Sequence, residues 1–523
     1  MLVSAPFLYF GLNMLTISPR ISRQSLAGHG WLGLLSGALM YIICLSGAVA
    51  VFYPEFERWE QPSVVEYSQL APDALQRAYE QRLSQIPKGE SIHDITMVLP
   101  TDAYPRGYIS AQQQSHFIQQ DGSLDIQKLH PWKDFLVNLH IELHLPPSIG
   151  LVLVSLFGVL LCGLVVSGFM AHRRIFKDAF KLRIRAQNQH KQRDLHNRLS
   201  VWAAPFHLMI GITGAYFGLA MIFAYVFSFA FYEGDSKALM ADVFSSEPVL
   251  SQPIQTANVA KALTNLASVL QQNINKPVSN DGNNDTDKQL ASSDGVDLSD
   301  YAPFYVTIED VGTPQQYIII GVRYPDRLIY AEQYRFDNNG EYINKAGFSD
   351  GVAGRQGIFS VYRIHFGHFG NLGVQIAYVL LGIALSIVSV TGVNIWLEKR
   401  QGRDFINDAW VAIVWGMPLA LAVSAFMQIM FAFSAIAIFW GVVLLSIGWS
   451  LYVKNESDCR YGLTSLTGFT LVALIVSYYV RFSASGITIT AHWINGAWLF
   501  TAVAICYFGY KNRIASPNET API

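Results

Sequence analysis

The chain has 523 residues, of which 14% are charged, 51% apolar and 13% aromatic, and its mean hydropathy is +0.28. Soluble proteins carry roughly 25% charged residues, so these few charges cannot cover a soluble surface of this size, and the composition reads as a membrane protein with substantial parts outside the bilayer. The net charge of −2, with no basic block away from the flanks of the apolar runs, excludes a nucleic-acid binder that works by neutralising phosphates.

In chain order, the apolar start (1–15) lacks a basic n-region and a small-residue cleavage site, so it reads as an interfacial lead-in or a mis-assigned start rather than a signal peptide. Crossing the hydrocarbon core takes about 20 apolar residues. The spacing predicts spans at 31–53, 148–170, 201–231 and 372–397. It predicts two more in the uncharged stretch 410–453, turning near 430–434, and a last two at 463–480 and 493–510. Lys and Arg crowd the connection 171–200 and follow the fourth, sixth and eighth spans. With Arg20 and Arg23 before the first, they put both termini on the cytoplasmic side. The bilayer is therefore the first expected partner.

Two long segments, 54–147 and 232–371, then face outside. Helical patterns at 71–86 and 259–270 precede strand-like runs at 94–99, 108–119, 305–308, 316–322 and 327–336, with Asp121-Gly122 and Asp337-Asn338-Asn339-Gly340 as turns. The polar run 273–300 reads as a disordered insertion. Four cysteines without zinc or redox spacing read as inert: Cys44, Cys162 and Cys506 in apolar runs and Cys459 on a short loop.

The chain repeats itself. His29 precedes the first span and Gly47 follows eighteen residues later. His196 precedes the third, and Gly214 follows at the same distance. His140 leads to Gly168 in VVSGFM and His365 to Gly392 in SVTGVN. Gly158 and Gly382 each lie ten residues before that closing glycine. The first four spans are thus two copies of one unit with an expected pseudo-two-fold along the membrane normal. The remainder, 398–523, is an appended four-span bundle. The fold class expected is an α-helical integral membrane protein: a duplicated four-helix core, four extra spans and two external α+β domains.

That axis sets His29 opposite His196 at the cytoplasmic end and His140 opposite His365 at the external end. Two neutral imidazoles facing each other are what six-coordinate haem iron requires, with small neighbours such as Ser46, Gly47, Thr213 and Gly214 admitting a flat macrocycle or a neighbouring backbone. Bare zinc or copper lacks three converging ligands. His207, inside the third span with Met40 at its repeat position, can ligate, hydrogen-bond a haem propionate or relay protons. His144 competes with His140, one turn further on. His172 and His368 are further candidates, whereas His93, His116, His130 and His190 read as surface residues and His492 fits no pattern. The chain shows no P-loop, GxSxG, HExxH or dinucleotide fingerprint.

The segments LAGHGWLGLLSGALMYIICLSGAVAVFYPEFERW, LHIELHLPPSIGLVLVSLFG, DLHNRLSVWAAPFHLMIGITGAY and RIHFGHFGNLG together resemble the PepSY-associated transmembrane family, over about residues 25–400. The resemblance implies a bacterial inner-membrane protein with two periplasmic PepSY-type domains. It also implies two b-type haems held by His29 with His196 and by His140 with His365, His172 and His207 matching positions that are often His. The activity implied is ferric-siderophore reduction: an electron from a quinol or a cytoplasmic reductase crosses the membrane and reduces a ferric chelate. The rival readings are a membrane-anchored domain that binds peptide or restrains a protease, and a solute permease.

Overall fold

The computed structural model describes residues 18–87, 90, 92–171, 188–274, 301–325, 327–400, 402–483 and 487–514. The apolar start, His172 with most of the basic connection, and the polar insertion from 275 onward lie outside the described residues.

The first half of the duplicated region runs α1 (Pro19–Ala50), α2 (Tyr53–Glu60), α3 (Pro72–Gln85), β1 (Asp94–Val98), β2 (Gly107–Ala111), β3 (Gln114–Ile118), β4 (Ile126–Gln127), α4 (Pro131–Glu142) and α5 (Pro147–Ala171). The second runs α6 (Asn188–Trp202), α7 (Ala204–Phe231), α8 (Ser236–Phe244), α9 (Val259–Ile274), β5 (Pro303–Glu309), β6 (Tyr317–Val322), β7 (Glu332–Phe336), β8 (Tyr342–Lys345), α10 (Ala353–Phe366) and α11 (Leu372–Lys399). Four more long helices follow: α12 (Phe405–Phe431), α13 (Ala435–Val453), α14 (Glu456–Phe482) and α15 (Ile489–Ile514). Among the described residues, eight helices are long and apolar enough to cross a membrane, α1, α5, α7 and α11 to α15. The chain is a multi-pass membrane protein.

Local chemistry sets the helix ends. Ser18 caps α1 by accepting from the Ile21 N–H, and Pro19 occupies the first turn, where its missing donor costs nothing. The stretch expected to hold two spans divides where expected: Ala432 takes a left-handed conformation and Ser434 caps the next helix. Helix α4 ends at Leu143 and His144, both at positive φ, and Pro147 then opens α5. So His140 and His365 stand on short helices of their own, α4 and α10, ahead of the returning spans.

The two external segments join edge to edge. One antiparallel sheet of eight strands runs β4-β3-β2-β1-β5-β6-β7-β8, and its centre is the β1–β5 pair with Thr96 opposite Thr307. An antiparallel central pair has a two-fold axis through it, so the sheet obeys the symmetry of the core below. One face is apolar: Ile95, Met97, Ile109, Val306, Ile308, Ile318 and Ile320 are fully enclosed against α3 and α9. The other face bears Tyr108, Ser110, Tyr305 and Thr307.

The expected strand 108–119 is in fact the hairpin β2–β3, turning at Gln112-Gln113, both at positive φ. Glutamine carries no turn signal, which is why the sequence concealed it. A two-residue hairpin with both residues at positive φ favours Asn-Gly. Gln112→Asn combined with Gln113→Gly should therefore raise the thermal midpoint by a few degrees, on the order of 1–2 kcal/mol from relieving left-handed strain. An unchanged or lower midpoint by scanning fluorimetry counts against that register.

The appended bundle docks mainly on the first half, and it also meets α11, where Trp410 Nε1 donates to Asn394 at 2.8 Å. Tyr478 stacks on Trp59, with centroids 5.2 Å apart and planes 1° from parallel, and donates its hydroxyl to the Trp59 carbonyl at 2.7 Å. Trp59 Nε1 donates to Asn495 and Trp132 Nε1 to Ser424. On α1, the Tyr41 hydroxyl donates to the Val414 carbonyl. The bundle thereby braces α1, α2 and α4, the elements leading to His140.

Candidate functional site: two histidine pairs at the ends of the core

The four expected histidines meet as two pairs. The rings of His29 and His196 have centroids 6.2 Å apart, and those of His140 and His365 6.3 Å. This is the spacing of two imidazoles sharing one metal ion, since each metal–nitrogen bond is about 2.0 Å and each nitrogen lies about 1.1 Å from its ring centre.

Each ring leans on one of the repeated glycines. A methyl placed on Gly47 would come within 2.5 Å of His140 Cε1, on Gly168 within 3.3 Å of His29 Cε1, on Gly214 within 3.3 Å of His365 Cε1, and on Gly392 within 3.4 Å of His196 Cε1. The glycines thus make room first for imidazole, a more specific role than admitting a macrocycle. Two others let helix backbones touch. Gly158 meets Gly211 and Ala215 across α5 and α7, and Gly382 meets Ala48 across α11 and α1.

Hydrogen bonds then fix the tautomer. His29 Nδ1 lies 3.1 Å from the Leu164 carbonyl, His196 Nδ1 3.1 Å from that of Val388, and His140 Nδ1 2.8 Å from that of Ile43. A carbonyl only accepts, so each Nδ1 carries the proton. His365 Nδ1 lies 2.8 Å from the Thr213 hydroxyl, which donates its own hydrogen to the Met209 carbonyl at 2.7 Å and must accept from the ring. Ser167 and Thr391 lie against His29 and His196 in the same manner. All four Nε2 atoms are left with a lone pair, and none makes a hydrogen bond among the described residues. This outer support, a ring N–H held by oxygen, is what orients metal-bound histidines. On the sheet side, burial holds His140 below the ordinary imidazole range, while burial and then His140 hold His365 down to about 3. Both are neutral, as ligands must be.

The remaining candidates fall elsewhere. His144 was expected to compete with His140, but it lies past the helix end, stacks on Phe135 and donates Nε2 to the Phe135 carbonyl. The positive φ at Leu143 and His144 turns it away from the pair. His207 is 1% exposed inside α7, with Nε2 sealed and unpartnered. A break at Ala203 puts His196 and His207 on different helices. His368 packs among Tyr53, Tyr362 and Phe366 and is held down to about 4 by burial, Arg323 and Arg363. His130, expected at the surface, is 3% exposed with both ring nitrogens unpartnered, because the β3–β4 segment folds back over α2. Among the described residues no three His, Cys, Asp or Glu side chains converge on a metal position. Each pair offers two nitrogens and leaves the other positions of a metal to another donor.

The duplicated core with these pairs defines a class of membrane protein. The profile of the PepSY-associated TM region matches residues 26–399, and the chain belongs to that family. The match takes in all four paired histidines and ends with α11, so the appended bundle lies outside it. An uncharacterized protein of Pseudomonas aeruginosa is 38% identical over 92 residues, 18% of this chain and 23% of that relative. The chain thus aligns with less than a quarter of that protein's length.

Two outcomes are expected. Gly47→Ala should destabilise the protein by about 1–3 kcal/mol, because His140 cannot yield 2.5 Å of contact without moving. Gly392→Ala, at an ordinary contact distance, should be neutral or gain up to about 1 kcal/mol of helix propensity. Equal effects in thermal melts would argue against the close packing. The second concerns Glu60, whose carboxyl accepts from the Trp132 and Lys133 N–H groups at the start of α4. Burial pushes it up to about 8, although those two N–H bonds pull the other way. A carboxyl raised on folding costs nothing below the unfolded value near 4.5 and progressively more up to about 8. The wild-type midpoint should fall between pH 5 and 8 relative to that of Glu60→Gln; parallel curves would contradict it.

Proposed function

We propose that this is an inner-membrane di-haem b electron carrier that reduces ferric chelates at its periplasmic, sheet-bearing face. The observation supporting it is the pair of imidazole sites at opposite ends of the core, each ring with Nδ1–H held by an oxygen and Nε2 free. The donor set fits haem: each site would offer its iron two neutral imidazole nitrogens. His29 with His196 would hold one haem, and His140 with His365 the other. Bound haem supplies reversible one-electron chemistry at iron.

The protein's own groups do the rest. The carbonyls of Leu164, Val388 and Ile43 and the Thr213 hydroxyl keep each ring from rotating and strengthen Nε2 as a donor. Along α1, His29 and the Gly47 that seats His140 are eighteen residues apart, about 27 Å at 1.5 Å per residue, comparable with a hydrocarbon core of about 30 Å. The two sites thus serve the two faces. The basic connections 171–200 and 398–409 put the His29–His196 end in the cytoplasm, where a quinol or a reductase would donate. Hard oxygen chelators hold ferric iron far better than ferrous, so reduction releases the metal.

Absorption spectroscopy of the purified protein tests this. A Soret band with low-spin bis-imidazole features is expected. His29→Ala and His365→Ala should each remove about half the haem and the double variant all of it, an axial pair needing both rings. A colourless protein ends the redox reading and leaves an anchored external domain. Full retention of haem in both variants ends the ligand assignment.

A further inference from the structure

The joint between the core and the appended bundle carries a feature that the electron-transfer reading does not use. Where α12 begins and α13 ends lies a cleft of about 320 Å³, lined by Arg403, Asp404, Phe405, Asp408, Leu451 and Lys454. Phe405 is the first residue of α12, and Leu451 stands in the last turn of α13. Both helices are long and apolar enough to cross the membrane. Arg403, Asp404 and Lys454 stand just beyond the helix ends, so the cleft lies where hydrocarbon gives way to headgroups. Two aromatic side chains at this level, Phe405 at 68% and Tyr452 at 86% exposure, stand out from the protein as interfacial aromatics do.

The walls are fixed by their own bonds. Asp404 caps α12 in a capping box with Asn407. Arg400 pairs with Asp404 while its guanidinium lies over the Trp396 ring at 5.0 Å. Arg403 Nη2 donates to Asp408 at 2.5 Å, and its Nη1 stands 3.7 Å from Glu456, beyond hydrogen-bond reach. The Ser450 hydroxyl donates to the Asp408 carbonyl at 2.7 Å and ties the end of α13 to the start of α12. Lys454 closes α13 in a left-handed conformation, with its backbone N–H on the Ser450 carbonyl and its side chain exposed.

The lining carries two cations, Arg403 and Lys454, and two carboxylates, Asp404 and Asp408. Such a wall has little net attraction for an anion, but it suits a ligand that carries both signs at once. A phospholipid at this depth brings a phosphate. An ethanolamine headgroup adds a primary ammonium, whose three N–H groups donate to carboxylate oxygens. A choline headgroup carries the same charges without an N–H, and a glycerol headgroup carries no cation. We propose that this cleft seats phosphatidylethanolamine, with the phosphate against Lys454 and Arg403, the ammonium against Asp404 and Asp408, and the acyl chains along Phe405 and Leu451. The bound lipid would pin the joint between α11 and α12, through which the bundle is attached to the core. Haem has no part in this binding.

The test counts bound lipid by native mass spectrometry. Full-length protein in detergent is incubated with an equimolar mixture of dioleoyl phosphatidylethanolamine, phosphatidylcholine and phosphatidylglycerol. The ethanolamine lipid should be retained over each of the others by about tenfold, the scale of one charge-assisted hydrogen bond. Lys454→Gln and Asp404→Asn should each bring that ratio close to one. Asparagine caps a helix about as well as aspartate, so Asp404→Asn removes the charge and keeps the start of α12. Equal retention of the three lipids by the wild type overturns the proposal without recourse to any variant. So does a preference for phosphatidylglycerol, which would make the cleft a plain cationic patch, or a preference unchanged in both variants. Glycerophosphoethanolamine, the same headgroup without acyl chains, should bind far more weakly; binding as tight as that of the lipid would assign the cleft to a soluble phosphate ester instead. A colourless protein with the lipid preference would uphold the site and sink the redox reading; a haem-loaded protein without it would do the reverse.

Discussion

The arrangement depends on one constraint, a ring N–H given to an oxygen of a neighbouring helix while a glycine makes room for the ring. Of the four imidazoles, three give Nδ1–H to a carbonyl one turn before the glycine that seats them, at Leu164, Val388 and Ile43. The fourth gives it to the Thr213 hydroxyl beside Gly214. An imidazole held at one nitrogen and packed along one edge has a single free lone pair with a set direction. At Gly47 a larger residue would displace the ring, and the oxygen cannot be lost without freeing the tautomer.

Duplication gives the core its symmetry, and later divergence gives each half a task. The first half is gripped by the appended bundle through Trp59, Trp132 and Tyr41, which places α4 against rigid neighbours. The second half meets the bundle along α11, where Trp410 donates to Asn394 and packs on Val393 and Leu397. The joined sheet keeps the halves in register, since sliding β1 against β5 by one residue would turn Ile95 and Met97 out of the shared apolar layer.

Spans, repeat and paired histidines were legible because hydropathy and spacing are properties of the linear chain. The turn at Ala432–Ser434 and the eighteen-residue intervals needed no neighbours to be seen. The union of the external segments into one sheet was hidden, because strand partnership across two hundred residues leaves no local trace. The Gln112-Gln113 hairpin and the displacement of His144 were hidden for a related reason: both rest on positive-φ residues that are not glycine.

What the sequence by itself determined is therefore which residues repeat and that they lie at opposite ends of the spans, since apolar length and periodic spacing act along the chain. Only the tertiary structure decided which nitrogen of each ring is free and which histidine of neighbouring candidates joins a pair. Those properties belong to contacts between distant segments, where a hydrogen bond over a few ångströms sets the chemistry.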